Sequence, residues 1–218
     1  MFMSALWDTI FMLNDTYRDV SVFLIDNHIP ALRFGDTGKP VVFAAGFGAD
    51  EWQSSVMLLT FFEDLLRHAE SGKTLSGIAV RKAFKKRSVI AVPCVCPPKM
   101  KYEGEALKPA DLSAFAKYLS FHPAQMLVCV QDETGSVFSA KANEKLPADS
   151  DTVAKILCAC SKLERHEQAD SVGTRFCEWT SAHAALPSYV ISPPAKDIAA
   201  LPYTYKRLEE TFTVSALL

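Results

Sequence analysis

The sequence has 218 residues, of which 49% are hydrophobic and 22% charged, and its formal net charge is −2. This balance is normal for a globular protein with a full core and excludes a disordered or fibrous chain. The nearly neutral charge gives no electrostatic reason to expect a nucleic acid or an anionic membrane as partner. The length fits one large domain, and no long linker divides residues 1–218.

The cysteines and the N-terminal residues bear on the cellular compartment. Most of the six cysteines lie in apolar runs such as residues 90–96 and 126–130, where a free thiol behaves as a small hydrophobic group. Such cysteines suit a reducing, cytoplasmic setting. The apolar residues 1–13 include Asp8 and lack a basic start and a cleavage site, so we predict a packing helix there rather than a signal peptide.

Two Cys-x-Cys pairs, Cys94/Cys96 and Cys158/Cys160, raise the question of a metal site. The second pair falls in a helical stretch, where residues i and i+2 point to different faces. We therefore predict structural thiols rather than zinc ligands at both pairs.

Helix and strand patterns alternate from residue 20 onward. Residues 20–34 predict a hairpin that turns at Asp26-Asn27, and the apolar run 41–45 is typical of a strand buried on both faces. The helix that follows begins near Glu51. Its apolar residues recur at spacings of three and four and predict one buried stripe, made of Trp52, Val56, Leu59, Phe62 and Leu66.

The rest of the chain continues the alternation. Helices are predicted over residues 75–86, 110–119, 151–163, 176–185 and 203–217, and strands over residues 88–92, 125–130, 136–140 and 188–191. This order predicts an α/β fold, a three-layer αβα domain with a mostly parallel mixed sheet and helices on both faces. We expect one core that contains Val42, Trp52, Phe62, Leu66, Ile90 and Leu127. In such sheets, ligands bind beyond the carboxyl ends of the strands.

The glycine-rich run 38–48 reads Gly-Lys-Pro-Val-Val-Phe-Ala-Ala-Gly-Phe-Gly and is compatible with two kinds of hydrolase. An α/β-hydrolase would need a later Gly-x-Ser-x-Gly nucleophile elbow, and Ser161 and Ser192 both lack the flanking glycines. We therefore discard that interpretation. A hydrolase that uses Ser192 or a cysteine as its nucleophile stays as a weaker alternative.

The other kind of hydrolase accounts for more of the chain. The run 39–66, a buried strand that leads into an amphipathic helix, resembles the opening of a zinc carboxypeptidase, a family that includes the gamma-D-glutamyl-L-diamino acid peptidases. Residues 78–93, the strand ending at Val130, residues 186–191 and residues 198–207 are similar to later elements of that family, in the same order. The resemblance implies a carboxypeptidase-like fold and, in an intact member, a zinc-dependent peptidase.

The site positions that the resemblance implies are mostly changed. The two histidine positions of the zinc site hold Gly48 and Gln131, whereas the glutamate ligand is kept as Glu51. The position of the general-base glutamate holds Ser192, and the family's Asn-Pro-Asp-Gly turn reads Cys-Pro-Pro-Lys at residues 96–99. A catalytic zinc needs three protein ligands and an open position for water. We therefore predict no bound zinc or other cofactor and no intact catalytic set.

Three further expectations concern these positions. A loop that folds back could bring His166 to the site, whereas the other four histidines are badly placed along the chain. Glu51 also has a structural interpretation, because a carboxylate in the first turn of a helix satisfies free amides and complements the helix dipole. We also expect Gly48 to adopt a backbone conformation that histidine cannot reach.

The sequence thus favours a carboxypeptidase-like domain that has lost zinc binding and peptidase activity and binds a peptide or amino-acid-like ligand in the ancestral cleft. Glu51, Gln131 and Ser192 are the candidate ligand-binding residues. The alternative is an active zinc metallopeptidase or amidohydrolase that acts on peptide or cell-wall peptide bonds through ligands located elsewhere in the chain.

Overall fold

The structure, a computed structural model, describes residues 2–35, 37–48, 51–96, 113–132, 135–140, 149–166, 168, 171–194 and 200–218. The helices are α1 Phe2–Thr16, α2 Trp52–Ser71, α3 Val80–Ala83, α4 Ser113–Phe121, α5 Ser150–Ser161, α6 Val172–His183 and α7 Leu201–Ser215, with a 3₁₀ turn at Phe84–Lys86. The strands are β1 Val20–Ile25, β2 Ile29–Phe34, β3 Val41–Ala44, β4 Thr74–Leu75, β5 Ile78–Ala79, β6 Val89–Val92, β7 Met126–Val130, β8 Ser136–Ser139, β9 Glu164–His166 and β10 Ser188–Ser192. Within these ranges, no helix is both long and apolar enough to cross a membrane.

Eight strands form one mixed sheet in the order β1-β2-β6-β3-β7-β10-β8-β9. The four central strands, β6, β3, β7 and β10, are parallel to one another, and β8 returns antiparallel to β10. All four central strands are buried along their whole length, as expected for strands covered by helices on both faces. The predicted three-layer α/β architecture is therefore confirmed.

The sheet separates two apolar clusters rather than enclosing one core. Phe62 and Leu66 of α2 belong to the cluster on one face, whereas Val42, Ile90 and Leu127 belong to the cluster on the other. The prediction of a single core was wrong because successive residues of a strand point to opposite faces of the sheet. The first face is covered by α1, α2, α5 and α7, and the second by α4 and α6.

The segment predicted as a helix over residues 75–86 begins with a hairpin and becomes helical only from residue 80. β4 and β5 pair through a two-residue turn at Ser76 and Gly77, which both have positive φ, and only residues 80–83 are α-helical. Positive φ at both turn positions is typical of a type I′ hairpin, for which a Ser-Gly sequence is suitable. The helical prediction was therefore wrong for residues 75–79 and right for residues 80–86, of which 80–83 are α-helical and 84–86 form the 3₁₀ turn.

Helix α2 buries the predicted stripe except at one position. Leu59, Phe62 and Leu66 are buried, and Trp52 packs against the same cluster while partly exposed. Val56 is 37% exposed and was therefore assigned wrongly. It lines a groove that is described below.

Truncation of Phe62 tests the packing of α2 on the sheet. Phe62 has 0% exposure, so Phe62→Ala should lower the free energy of unfolding by about 3–5 kcal/mol through lost burial and a new cavity. Val56→Ala is the matched control on the same helix and should cost less than about 1 kcal/mol. Urea denaturation followed by circular dichroism measures both, and similar values for the two variants would contradict this account of the helix.

Candidate functional site

The parallel strands β3, β6, β7 and β10 bring their carboxyl ends to one edge of the sheet. The chain leaves β3 through Gly46, which has φ +66°, and a side chain there would approach the backbone of Cys94 to 3.0 Å. Two hydrogen bonds join this turn to the segment after β6, from Val95 N to Ala45 O and from Cys96 N to Gly46 O, each 3.0 Å. Glycine is needed at position 46 because the two segments lie too close for a β-carbon.

Glu51 stands at the start of α2 and turns its side chain back toward this edge. Its Oε2 accepts a hydrogen bond of 3.2 Å from the backbone amide of Phe47, and its Oε1 accepts one of 3.1 Å from Nε2 of Gln131. As the N-cap residue, Glu51 makes no side-chain hydrogen bond to the amides of its own helix. The structural role expected for Glu51 was therefore only partly right. The carboxylate does accept from a backbone amide, but that amide belongs to Phe47 in the preceding turn and not to the first turn of α2.

Gln131 follows β7 directly and is buried. Its carboxamide donates to Glu51 at one end, and its Oε1 accepts a hydrogen bond of 2.8 Å from the Ser171 hydroxyl at the other. The orientation of the amide follows from its partners, since a carboxylate only accepts and so must face the NH₂ group. Glu51, Gln131 and Ser171 thus form a continuous hydrogen-bonded chain across the carboxyl edge.

The start of α6 holds the far end of this chain. Ser171 caps the helix by accepting from the Thr174 amide at 3.1 Å, and Thr174 Oγ1 accepts from the Ser171 amide at 2.9 Å, which completes a capping box. Gly173, two residues after Ser171, lies against Gln131. A β-carbon at position 173 would be 2.5 Å from Gln131 Oε1. Gln131 can reach Ser171 only because position 173 has no side chain.

Ser171 and Gly173 are site residues that the sequence interpretation missed. Helix α6 was predicted to begin at residue 176, whereas it begins at Val172. The pattern Ser171-x-x-Thr174, with a hydroxyl residue three positions after a Ser N-cap, was a usable signal for the earlier start. Recognising it would have placed the start of α6 beside the end of β7.

Gly48 lies beside Glu51, but not in the conformation that we expected. Its φ is outside the positive range, and a β-carbon built on it would meet Glu51 Oε1 at 3.4 Å, an ordinary contact distance. The expectation that histidine could not be accommodated here was therefore wrong. The position with a left-handed backbone is Gly46, two residues earlier.

Ser192 ends β10, the strand next to β7, and is buried. The amide of Gln131 donates to the carbonyl of Ile191 at 3.1 Å, so Ser192 comes directly after the residue that bonds to Gln131. The roles of Glu51, Gln131 and Ser192 in ligand binding stay predictions. Of the turn at residues 96–99, only Cys96 is among the described residues, and it is buried.

All five histidines are among the described residues, and three of them can be placed relative to this edge from the strand order and the helix ends. His166 belongs to the edge strand β9, pairs with Phe138 of β8, and so lies three strands from β7, roughly 14 Å at ~4.8 Å per strand. His122 and His183 lie where α4 and α6 lead into the opposite ends of β7 and β10, stacked on Tyr118 and Trp179. A ligand role for His166 through a folded-back loop is therefore wrong.

The cysteines near the site are poor nucleophiles. All six are free. Burial raises the pKa of the Cys94 thiol to about 11. Burial also raises the pKa of Cys129 well above its usual value, and the contact with Cys177, 3.5 Å between the sulfur atoms, and the nearby Glu51 carboxylate act in the same direction. A raised thiol pKa means that both stay protonated at neutral pH, and the protonated thiol is a weak nucleophile.

The donor set at this edge does not fit a catalytic zinc. Gly48 offers no side-chain donor, and the one metal-binding atom of Gln131, its Oε1, accepts the Ser171 hydroxyl. Of the three positions that the resemblance assigns to zinc ligands, only Glu51 supplies a carboxylate or an imidazole. In the part of the chain that the structure describes, no cluster of three or more His, Cys, Asp or Glu side chains could hold a metal ion. Three protein ligands are required for a catalytic zinc, and the positions 48, 51 and 131 supply one.

Comparison with known proteins rests on structure alone. No family model matches the sequence, and no curated protein matches it. Solved structures do match. A metallo-carboxypeptidase from Burkholderia cenocepacia superposes with a TM-score of 0.66 at 13% identity, over 99% of this chain and 66% of that one. Thrombin activatable fibrinolysis inhibitor gives 0.70 at 10% identity, over 97% and 72%. Carboxypeptidase A from Helicoverpa armigera gives 0.64 at 11% identity, over 97% and 70%.

These matches show that the chain has a carboxypeptidase-like fold, which confirms the resemblance seen in the sequence. The identities of 10–13% support the fold and nothing finer. The chain spans about two thirds of the length of the bacterial carboxypeptidases that it matches. What those proteins do therefore bears on this chain only as a proposal.

The contact between Gly173 and Gln131 gives a sharp test of the site. Gly173→Ala should displace the Gln131 carboxamide and destabilise the protein by about 1–3 kcal/mol through overpacking. In a Gln131→Ala background the same change should be neutral or stabilise by up to about 1 kcal/mol, because alanine favours helix more than glycine does. A double-mutant cycle from urea denaturation measures the coupling. A coupling energy close to zero would contradict the contact.

Proposed function

We propose that this chain is a carboxypeptidase-like domain that holds no catalytic zinc, does not hydrolyse peptides, and binds a peptide or amino-acid-like ligand at the carboxyl edge of the sheet. The observation that carries the proposal is the Gln131 carboxamide, which donates to Glu51 and accepts from Ser171. The nitrogen and the oxygen of this carboxamide, at a position where the family has a zinc ligand, are thus both hydrogen-bonded to other protein groups.

The chemistry of peptide hydrolysis supports the first part of this proposal. Zinc peptidases need a Lewis acid to polarise the carbonyl and activate water, and a carboxylate to take up the proton of that water. The resemblance places Ser192 where that carboxylate would be, and a hydroxyl cannot serve as a base of suitable pKa. The metal and the base are thus both lacking, at positions far apart in sequence.

The remaining side chains support the ligand-binding part. Glu51 is half-buried and negatively charged, and a partly desolvated carboxylate attracts the ammonium group of an amino acid or a peptide N-terminus. Ser192 adds a hydroxyl at the end of the neighbouring strand. Ligands of open α/β sheets bind beyond the strand carboxyl ends, where these residues lie. Free cysteines suit a cytoplasmic location for such a domain.

An active zinc metallopeptidase or amidohydrolase is the second candidate. It is favoured by the metallo-carboxypeptidases among the matching structures. It would require metal ligands other than those described above.

Metal content and turnover separate the two candidates. Protein purified without chelator or metal-affinity tag should contain well under one zinc per chain by elemental analysis. It should cleave no substrate in a screen of peptides and cell-wall peptides with added zinc. One zinc per chain, or turnover abolished by a chelator, would contradict the first candidate and favour the second.

Restoring the two histidines tests whether the scaffold can still hold the metal. The Gly48→His, Gln131→His variant should bind zinc stoichiometrically, since position 48 can take a side chain beside Glu51 and three ligands would then be present. Addition of Ser192→Glu should leave metal binding intact without restoring turnover to the level of an intact enzyme. The Gly48→Ala, Gln131→Ala variant is the control and should bind none. Absence of zinc from a folded histidine variant would show that this edge is not the former metal site.

A further inference from the structure

A groove separate from the candidate site lies between α2 and α7 and reaches the β4–β5 hairpin. Its volume is about 650 Å³. Along α2 it extends from Val56 to His68, roughly 18 Å at ~1.5 Å per residue. Glu51, Gln131 and Ser192 do not line it.

One end of this groove is apolar and the other is polar. The apolar end, near the starts of the two helices, contains Val56, Met57, Leu201 and Pro202. The other end is mainly polar and includes one apolar hairpin residue, Leu75; its polar side chains come from α2, α7 and the hairpin: Asp64, Arg67, His68, Ser76, Tyr205, Lys206 and Glu209. An occupant that fits both ends must therefore be amphipathic.

Three hydroxyl groups of the groove donate their protons to the protein. Thr60 donates to the Val56 carbonyl at 2.8 Å, Ser76 to Glu209 Oε1 at 3.0 Å, and Tyr205 to Asp64 Oδ2 at 2.6 Å. Burial, together with the Asp64 carboxylate, raises the pKa of Tyr205, so its hydroxyl keeps the proton that it donates. A hydroxyl has one proton, and what each of these groups has left for a ligand is an acceptor.

His68 follows the same rule. Its Nδ1 lies 2.7 Å from the backbone carbonyl of Asp64, and a carbonyl can only accept, so Nδ1 carries the proton. In the neutral imidazole the other nitrogen, Nε2, is then an acceptor. The three hydroxyl oxygens and, in a neutral imidazole, His68 Nε2 thus offer acceptor lone pairs to a ligand, which must supply the donors.

Two carboxylates complete the polar end. The side chains of Asp64 and Glu209 are only 13% and 9% exposed, and each uses one oxygen within the scaffold, toward Tyr205 and Ser76. Their other oxygens are paired with Arg67 and Lys206, whose side chains are 61% and 74% exposed. A carboxylate this deeply buried needs a cationic partner. A cation supplied by a ligand can replace Arg67 or Lys206, because it keeps the carboxylate paired while the long exposed side chain returns to water.

We propose that this groove binds a peptide segment with a lysine or arginine side chain at one end and an apolar side chain at the other. The cationic group lies between Asp64 and Glu209 and donates to their outward oxygens and to the acceptors beside them. The apolar side chain packs against Val56 and Leu201. The apolar end favours a peptide over a free polyamine, which would leave those side chains uncovered.

Capped peptides test this groove with probes that lack the charged termini proposed to bind at the candidate site. The probe is acetyl-Leu-Ala-Ala-Ala-Arg-amide, about the length of the groove at ~3.5 Å per residue, together with its reversed sequence. Blocked termini carry no ammonium or carboxylate that Glu51 or Ser192 could recognise. By isothermal titration calorimetry, one of the two should bind about tenfold or more tightly than its analogue with norleucine in place of arginine.

Variants then locate the binding. Asp64→Asn and Glu209→Gln keep an acceptor for Tyr205 and Ser76 and should each weaken binding about tenfold. Arg67→Ala and Lys206→Ala remove the internal competitors and should tighten it severalfold, a gain that a purely structural role would not give. Lys155→Ala, which removes one of the two partners of Asp151 on α5, should change nothing. Gln131→Ala should also leave it unchanged, so this test and that of the proposed function can fail separately.

Three results would overturn the proposal. The first is equal binding of the arginine and norleucine peptides, or no binding of either. The second is binding that stays the same in folded Asp64→Asn and Glu209→Gln proteins and is not tightened by Arg67→Ala. The third is binding of spermidine, measured in the same way, that exceeds binding of both peptides, because the apolar end would then have no role.

Discussion

The hydrogen bond from the Gln131 carboxamide to the Glu51 carboxylate is the interaction on which the candidate site depends. A partly buried carboxylate is costly unless it is paired or hydrogen-bonded. In a metallopeptidase a metal would compensate such a charge, whereas here an amide from the neighbouring strand and the backbone amide of Phe47 do so. Gln131 can play this part only in one orientation, and Ser171 fixes that orientation from the other side.

This arrangement explains why two glycines near the edge matter for different reasons. Gly46 is needed for its left-handed backbone and for the close approach of the segment after β6. Gly173 has an ordinary helical backbone, but its missing side chain leaves room for Gln131 to reach the start of α6. The first residue shapes the loop that carries Glu51, and the second positions its partner. A side chain at position 173 would displace Gln131 and leave the Glu51 carboxylate with one partner fewer, which costs more for a partly buried group than for an exposed one.

Much of the fold and part of the candidate site could be predicted from the sequence. The predictions that failed did so for physical reasons. The buried central strands gave continuous apolar runs, and parallel strands necessarily bring their ends together, so Glu51 and Gln131 could be placed at one edge. The orientation of the Gln131 amide could not be foreseen, because it depends on Ser171, 40 residues away in the chain. The hairpin at Ser76-Gly77 was missed because a short apolar stretch fits helical and strand spacing equally well. The edge strand β9, with exposed Glu164 and Arg165, has no apolar alternation to reveal it.

Helix α2 contributes residues both to the candidate site at the sheet edge and to the groove, at positions far apart along its length. Its N-terminal end presents Glu51 to the sheet edge, and its outer side presents Asp64 and His68 to the groove. Glu51 and Asp64 are 13 residues apart, roughly 20 Å at ~1.5 Å per residue, which is beyond the Debye length of about 8 Å at physiological salt. A charge that binds at one surface is therefore screened from the other. Any influence of one ligand on the other would have to pass through the packing of α2, whose buried side faces the sheet through Phe62 and its neighbours.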